Sequence, residues 1–300
     1  MTARPSLEEN QIQLERFGDN NDKNSNSNNT IFVMTMTGTP HKANVFSIPL
    51  IQRLDRLLDE VEDNLPCTLV LQGNGQFFSA GFDLNALTGT SHRPPKNKKN
   101  STNQQQQQQT STQPQPPPQG ERLVEQSWKV LARLLVFPAP TIALMNGHAF
   151  GLGLFLALAC DHRVMLEPRE QKLGKSNSSP TRLLCLPEIT IGLPLGSGFA
   201  ALAQCKMRND TLRSAALTGK QFNTVEALHA GLIDAIIPAE SDNNKHNNDN
   251  DNYSILPKRI VEMAEHLVPT STKGNLSAIK MELYGETYQK LVTGKSRSKL

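Results

Sequence analysis

The chain has 300 residues and a formal net charge of +3, and this length fits one large domain or two ordinary ones. Its basic residues are scattered or lie in polar tracts, so a nucleic-acid-binding surface is not expected. Aromatic residues make up only 5% of the chain, which also argues against a surface on which bases stack.

Membrane insertion and metal binding are not expected either. The most hydrophobic run, around residues 149–160, is too short and too interrupted to span a bilayer, and the N-terminus lacks the apolar core of a signal peptide. The four cysteines include no CxxC pair and each lies among apolar neighbours, which is typical of buried, reduced thiols. We therefore expect a soluble, intracellular protein without a metal site.

Four polar segments interrupt the chain: residues 18–29, 89–120, 169–181 and 241–252. They bury too little apolar surface to offset the entropy of ordering them. We predict a disordered N-terminal segment over 1–29, a core over 30–205 with insertions at 89–120 and 169–181, and a helical C-terminal region over 206–300 with an insertion at 241–252. The Pro/Gln tract within 89–120 could instead be a linker that binds a partner.

Strand and helix patterns alternate in the rest of the chain. In chain order, the patterns predict strands over 31–37, 68–72, 141–145 and 233–237, and helices over 48–63, 121–136, 151–159, 225–230, 257–267 and 271–291. Because the alternation comes first and the helices come last, the chain is predicted to form an α/β core with a helical C-terminal part.

Two glycine-containing turns follow predicted strands. The first is Phe77–Leu84 (FFSAGFDL), and the second contains Gly151 at the start of a helix that is apolar throughout. Helix N-termini carry free N–H groups, and glycine lets the backbone approach a ligand closely. If the two turns converge, their N–H groups would form an oxyanion hole, although either turn alone could be only a turn.

Glu188 is the only carboxylate in the apolar run from Leu183 to Ala203. Apolar surroundings raise the pKa of a carboxyl group and make it a better base near neutral pH. The alternative is a structural carboxylate that caps a turn or pairs with Arg182. The histidines lack partners at metal or triad spacing, and the chain contains no nucleophile elbow, Walker loop or dinucleotide-binding fingerprint.

Together these segments resemble the crotonase superfamily of enoyl-CoA hydratases and isomerases. The matching pieces, in the family's order, are 77–84, 140–165, 186–198 and 217–237. The resemblance implies a spiral of repeated ββα units with a helical C-terminal region that mediates trimers. It also implies an acyl-CoA substrate and no separate cofactor, since coenzyme A is part of that substrate.

The resemblance assigns roles to individual residues. The backbone N–H groups of Phe82 and Leu152 would hold the thioester oxygen, and Glu188 falls on one of the family's two catalytic glutamates. The substrate and its CoA moiety would be bound by Ala80, Phe82, Asp83, Leu84, Gly151 and Phe155. Leu152 replaces the usual glycine, so a side chain is expected to crowd the site. Lys273 and Lys280 could meet the CoA phosphates, but solvated surface lysines are the expected alternative.

Phe155 stands where a hydratase of this family carries its second glutamate. Hydration needs two acid/base groups, whereas moving a double bond needs one. The resemblance therefore implies a Δ3-Δ2-enoyl-CoA isomerase of fatty-acid β-oxidation, in which Glu188 moves a proton from C2 to C4. The alternatives are a hydratase or thioester hydrolase that takes a carboxylate from elsewhere, such as Asp83, and a non-catalytic acyl-CoA-binding scaffold.

The chain ends in Ser298-Lys299-Leu300, after a polar tail. A C-terminal SKL is an address read by the peroxisomal import receptor, although an ordinary basic tail could end in the same way. We predict import into the peroxisomal matrix and, from the resemblance, a homotrimer or a dimer of trimers.

Overall fold

The computed structural model describes residues 11–17, 30–38, 43–84, 87, 119–167, 181–238 and 256–294. Its strands are β1 (Ile12–Phe17), β2 (Thr30–Met36), β3 (Val45–Phe46), β4 (Cys67–Gly73), β5 (Phe77–Ser79), β6 (Gly81–Phe82), β7 (Thr141–Met145), β8 (His148–Phe150), β9 (His162–Leu166), β10 (Leu183–Cys185), β11 (Phe222–Asn223) and β12 (Ala235–Ile237). Its α-helices are α1 (Ile48–Glu62), α2 (Gln119–Leu135), α3 (Leu152–Ala159), α4 (Ser197–Lys206), α5 (Asn209–Thr218), α6 (Thr224–His229), α7 (Lys258–Leu267) and α8 (Leu276–Thr293).

The strands form two larger sheets and one short pair. The six-stranded sheet has the order β1-β2-β4-β7-β9-β12, the four-stranded sheet has the order β11-β10-β8-β5, and β3 pairs with β6. From β2 to β12 the large sheet is parallel, and β1 is its antiparallel edge strand. Successive turns of the chain place one strand in the large sheet and the next in the small sheet, as β4-β5, β7-β8 and β9-β10 do, and then a helix. This spiral of ββα units confirms the predicted fold class.

The helices cover the sheets because their apolar residues recur on one face. In α1, for example, Ile51, Leu54 and Leu58 are buried, and Ser47 caps the helix by accepting a hydrogen bond from Leu50 N at 3.4 Å. The main core lies between the two sheets and helices α1 to α4. A smaller core packs α7 against the opposite face of the large sheet. The parallel strands are therefore buried on both faces, as parallel sheets require.

The prediction of N-terminal disorder over residues 1–29 is wrong for Ile12–Phe17. These residues form β1, which pairs with β2. Ile12 and Leu14, two positions apart, pack on the main core, and Phe17 packs on the smaller core. Residues 1–10 and 18–29 lie outside the described residues.

The predicted boundaries of the core and of the C-terminal region also need correction. The division between residues 205 and 206 falls inside α4, and β11 and β12 of the C-terminal region complete the two sheets. The C-terminal region is therefore not purely helical, because it supplies an edge strand to each sheet. The insertion predicted at 89–120 overlaps the first turn of α2, and its other residues lie outside the described ones, as do 169–180 and 241–252.

Candidate active site

The second glycine turn joins β8 to α3. Gly151 precedes Leu152, the first residue of the helix, and has a φ of +50°, which side chains other than that of glycine rarely tolerate. The N–H groups in the first turn of a helix have no intrahelical acceptor, so Leu152 N is placed to bind an oxygen. A positive helix dipole end lies at the same point.

The first glycine turn lies directly against the second. Gly81 has a φ of +92°, and a Cβ added there would lie 2.8 Å from Phe150 O and 3.3 Å from Leu152 N. Phe82 follows Gly81 in β6. The structure thus brings together the two segments that sequence analysis predicted to carry the oxyanion donors, although they are some 70 residues apart in the chain.

Glycine is also required where α3 crosses the first turn. A Cβ added to Gly153 would lie 2.5 Å from Ser79 O and 2.7 Å from Ser79 Cβ. Both distances are too short for real atoms, so only a glycine lets α3 approach β5 this closely. The spacing of the two turns therefore depends on this contact.

Glu188 begins a short 3-10 helix, Glu188–Ile191, which follows Pro187. A Cβ added to Gly151 would lie 3.3 Å from Glu188 Oε1, so the carboxyl group lies beside the turn that precedes Leu152. Among the described residues, its Oε2 atom is shielded from solvent and has no hydrogen-bond partner. Burial raises the pKa of Glu188 above its ordinary value.

Within the part of the chain that the structure describes, no neighbour neutralises the charge of Glu188. Arg182, the partner considered in the sequence analysis, instead donates a hydrogen bond to Leu166 O, and burial lowers its pKa to about 10. Cys185 is buried, and burial together with the charge of Glu188 raises the pKa of its thiol to about 12. A neutral thiol and an unpaired carboxyl group are therefore the expected state near neutral pH. This environment suits a general base.

Phe155 lies in an aromatic cluster that we define as Phe82, Trp128, Phe155 and Phe199. The Phe155 ring is fully buried and stacks on Phe199, with 4.6 Å between ring centroids and 29° between planes. Phe199 also meets Phe82 and Trp128 edge-on, at 5.9 Å and 5.7 Å. The aromatic cluster thus extends from α3 to the first glycine turn, because it includes Phe82.

The other residues predicted to bind substrate lie on the first turn. Ala80 N donates to Ala43 O at 2.8 Å and Asp83 N donates to Phe46 O at 3.1 Å. The Leu84 side chain is 49% exposed. These contacts hold the turn against the β3 strand, while the roles of Ala80, Asp83 and Leu84 in CoA binding stay predictions.

The structure corrects three expectations about individual side chains. The side chain of Leu152 was expected to crowd the site, but Leu152 is only 3% exposed and packs in the main core. Lys280 is not a surface lysine: it is 4% exposed and donates to Asp161 Oδ2 at 2.6 Å and to Phe137 O and Ala139 O. Cys205 is exposed, unlike the other three cysteines, because it lies on the outer side of α4.

Sequence analysis missed two groups of residues around the site. Trp128 and Phe199 support Phe155, but their distance along the chain carries no local signal. Asn44 contacts the first turn through its side-chain amide. The only available signal was its residue type, since asparagine adopts left-handed backbone conformations more often than other non-glycine residues.

No three His, Cys, Asp or Glu side chains in the described ranges converge as a metal site would require. No helix within those ranges is both long and apolar enough to cross a membrane.

Comparison with known proteins identifies the class to which this fold and site belong. Residues 32–248 match the enoyl-CoA hydratase/isomerase family, and the chain belongs to that family. The predicted crotonase membership, and with it the prediction of an enzyme, is confirmed.

Two relatives within this class carry more specific names. The chain is 31% identical over 209 residues to the peroxisomal enoyl-CoA delta isomerase 2 of Arabidopsis thaliana, covering 68% of this chain and 72% of the relative. It is 27% identical over 260 residues to enoyl-CoA delta isomerase 3 of the same plant, covering 85% and 89%.

Solved structures support the fold alone. An enoyl-CoA hydratase from Mycobacterium marinum superposes with a TM-score of 0.64 at 23% identity, over 88% of this chain and 92% of the other. A probable enoyl-CoA hydratase from Mycobacterium tuberculosis superposes with a TM-score of 0.65 at 21% identity, over 94% and 92%.

Proposed function

We propose that the protein is a Δ3-Δ2-enoyl-CoA isomerase, which converts a 3-enoyl-CoA to the 2-trans-enoyl-CoA. The observation that carries the proposal is the isolation of the Glu188 carboxyl group beside Gly151, with Phe155 buried at the position where a hydratase of this family carries its second glutamate. The two relatives named enoyl-CoA delta isomerase support the same reaction.

The proposed reaction uses one base and one oxyanion hole. Glu188 removes a proton from C2, and the electron pair of that C–H bond moves toward the thioester carbonyl, which gives a dienolate. The N–H groups of Phe82 and Leu152 bind the negative oxygen. The protonated Glu188 then returns the proton to C4, so that the double bond lies between C2 and C3 and no atom is gained or lost.

Three physical effects favour a mechanism with one base and one oxyanion hole. Removing one donor from an oxyanion hole costs about 10²- to 10³-fold in kcat, because the donor binds charge that develops only in the transition state. Burial raises the pKa of Glu188, which makes the carboxylate a stronger base for the C2 proton. The buried aromatic cluster would keep water from the dienolate and so suppress hydration.

A paired assay on the purified protein tests the proposal. One arm supplies a 3-enoyl-CoA and follows the 2-enoyl product, and the other supplies a 2-enoyl-CoA and follows hydration. We expect isomerisation without appreciable hydration. Dominant hydration would instead favour the hydratase alternative with Asp83 as the candidate second carboxylate, and an inert protein that still binds acyl-CoA would favour the scaffold.

We also propose that the enzyme acts in the peroxisomal matrix, in the β-oxidation of unsaturated fatty acids. The proposal is supported by the terminal Ser298-Lys299-Leu300 and by the relative named peroxisomal. The full-length chain with a fluorescent protein fused to its N-terminus should localise to peroxisomes. Deletion of the last three residues should leave this fusion in the cytosol. Unchanged peroxisomal localisation after the deletion would contradict the assignment of the signal.

A homotrimer, or a dimer of trimers, is proposed for the assembly. Helix α8 exposes four large apolar residues: Ile279 (45%), Met281 (37%), Leu283 (66%) and Val292 (42%). Apolar side chains concentrated on one helix are expected to be covered by another copy. The mass in solution from light scattering tests this, because a monomer at micromolar concentration would contradict it.

A further inference from the structure

Asn44 lies between β2 and β3 and has a backbone conformation that glycine would adopt more easily. Its φ is +50°, and it is the non-glycine residue with positive φ among the described residues. It is also 1% exposed. A conformation of this kind costs free energy, so its presence in a buried residue indicates that the side chain provides something glycine could not.

The side chain of Asn44 binds the strand that leads to the first oxyanion turn. Its Nδ2 atom donates to Phe77 O at 2.9 Å and to Phe78 O at 3.1 Å, and lies 3.3 Å from Asn74 O. An amide group that meets several carbonyl oxygens fixes the position of β5 from one side. Only a residue with a short side chain carrying N–H donors can do so from this location.

The backbone of Asn44 continues the contact toward the oxyanion donor. Ser79 is fully buried, and its hydroxyl donates to Asn44 O at 2.7 Å. The same hydroxyl oxygen accepts a hydrogen bond from Gly81 N at 3.0 Å. The next N–H group along the chain is that of Phe82, so a chain of hydrogen bonds runs from Asn44 through Ser79 to the residue before the donor.

Ser79 also fixes the other half of the site. Its backbone is the surface against which Gly153 of α3 packs, and α3 begins with Leu152. Movement of Ser79 would therefore change the distance between the two donor N–H groups. Misplacement of a reacting group by about 1 Å can reduce the rate about 10²-fold.

We propose that Asn44 is a positioning residue of the oxyanion hole: its amide holds β5 and its backbone carbonyl holds Ser79, and together they fix the position of the Phe82 N–H relative to that of Leu152. Asn44 does not touch the substrate in this arrangement. The inference rests on the proposed function, since it assigns Phe82 and Leu152 as the donors. It adds a residue, far from Glu188 in the chain, that determines the strength of the hole.

Asn44→Gly is the primary test, because glycine accepts the positive φ and removes only the amide. We expect kcat for isomerisation to fall about 10- to 100-fold with little change in KM, since the ground-state carbonyl needs the hole less than the dienolate does. Ser79→Ala should act in the same direction. Asn44→Gly keeps the backbone carbonyl that accepts from Ser79 and removes the amide bonds to Phe77 O and Phe78 O, so it acts by loosening β5 just before Ser79. The double variant should lose less than the product of the two single effects, because both substitutions release the same segment.

Acetoacetyl-CoA provides a second readout that does not need turnover. Its C2 protons are acidic and its enolate absorbs in the near ultraviolet, so the pKa of the bound ligand reports how well the hole holds an oxyanion. The wild type should lower this pKa, and Asn44→Gly and Ser79→Ala should raise it again. A purely structural role of Asn44 would not change this pKa.

Ser271→Ala is the matched control. Its hydroxyl is buried and bridges the backbone of Cys67 and Val268, in the small 3-10 helix before α8. It should lower thermal stability and leave both kcat and the pKa of bound acetoacetyl-CoA unchanged. If Asn44→Gly and Ser79→Ala behave in the same way as this control, the inference is overturned.

The two proposals can fail separately. A wild type that lowers the pKa of bound acetoacetyl-CoA without isomerising a 3-enoyl-CoA would reject the proposed reaction, while the effect of Asn44→Gly on that pKa would still decide the role of Asn44. A wild type that does not lower the pKa has no functional oxyanion hole, and this would overturn both.

Discussion

The carboxyl group of Glu188 lies beside Gly151, where a Cβ would be only 3.3 Å from Oε1. Gly151 precedes the helix whose first N–H belongs to Leu152. The candidate base and a candidate oxyanion donor therefore share one small region.

Replacing Glu188 by Gln should abolish isomerisation with little effect on folding. The amide has nearly the same shape but cannot accept the C2 proton, so kcat should fall by about 10²- to 10⁴-fold. Steady-state kinetics with a 3-enoyl-CoA measures the loss. Glu262→Gln, an exposed residue of α7 that pairs with Lys258, is the control and should retain full activity. Retained activity in Glu188→Gln would contradict the assignment of the base.

The pH dependence should reflect the burial of Glu188. Because burial raises the pKa of this carboxyl group, kcat/KM should rise with pH through an apparent pKa above the ordinary value of about 4.3. A profile that is already flat at that ordinary value would argue against Glu188 as the titrating base.

Stability should respond to pH in the opposite sense. A carboxyl group whose pKa is higher in the folded state contributes stability below its unfolded pKa and loses that contribution as pH rises through the folded pKa. The melting temperature of the wild type, relative to that of Glu188→Gln, should therefore decrease as pH rises through this range. Thermal unfolding of both proteins at several pH values tests the sign, and a constant difference would mean that the pKa is unshifted.

Adding one methyl group to α3 at Gly153 should move the two glycine turns apart. Gly153→Ala places a Cβ 2.5 Å from Ser79 O, so α3 or β5 must move, and we expect both the melting temperature and kcat to fall. Gly285→Ala in α8 is the matched control, because the nearest atom to its Cβ, Met281 Sδ, is 4.0 Å away. The control should gain about 1 kcal/mol in unfolding free energy from helix propensity and leave kcat unchanged.

Lys280→Met should destabilise the fold rather than weaken CoA binding. The variant leaves the Asp161 carboxylate without the Lys280 ammonium at 2.6 Å, and removing one partner of a buried ion pair costs about 3–5 kcal/mol. Urea unfolding measures the loss, and KM for the acyl-CoA should not change. Lys273→Ala, at an exposed position, should leave stability unaltered. A higher KM with unchanged stability in Lys280→Met would restore the CoA-phosphate interpretation.

The sequence alone was sufficient for the fold class, and it also named the candidate site residues, whose roles stay predictions. Periodic apolar residues such as Ile51 and Leu54 predict amphipathic helices, and their faces are buried as expected. Glu188 was identifiable because a carboxylate within an apolar run is costly unless it has a use. Gly81 and Gly151 were identifiable because glycine in a turn before a strand or helix indicates an unusual backbone conformation, and both have positive φ.

The tertiary structure decided which of these residues meet. Gly81 approaches Leu152, and Lys280 reaches Asp161, across separations in the chain that no local pattern encodes. A role for Asn44 follows only from the tertiary structure, which places its amide against the carbonyl groups of β5. Secondary structure follows from neighbours along the chain, whereas a site depends on the packing of distant segments, and that packing is determined by the whole core at once.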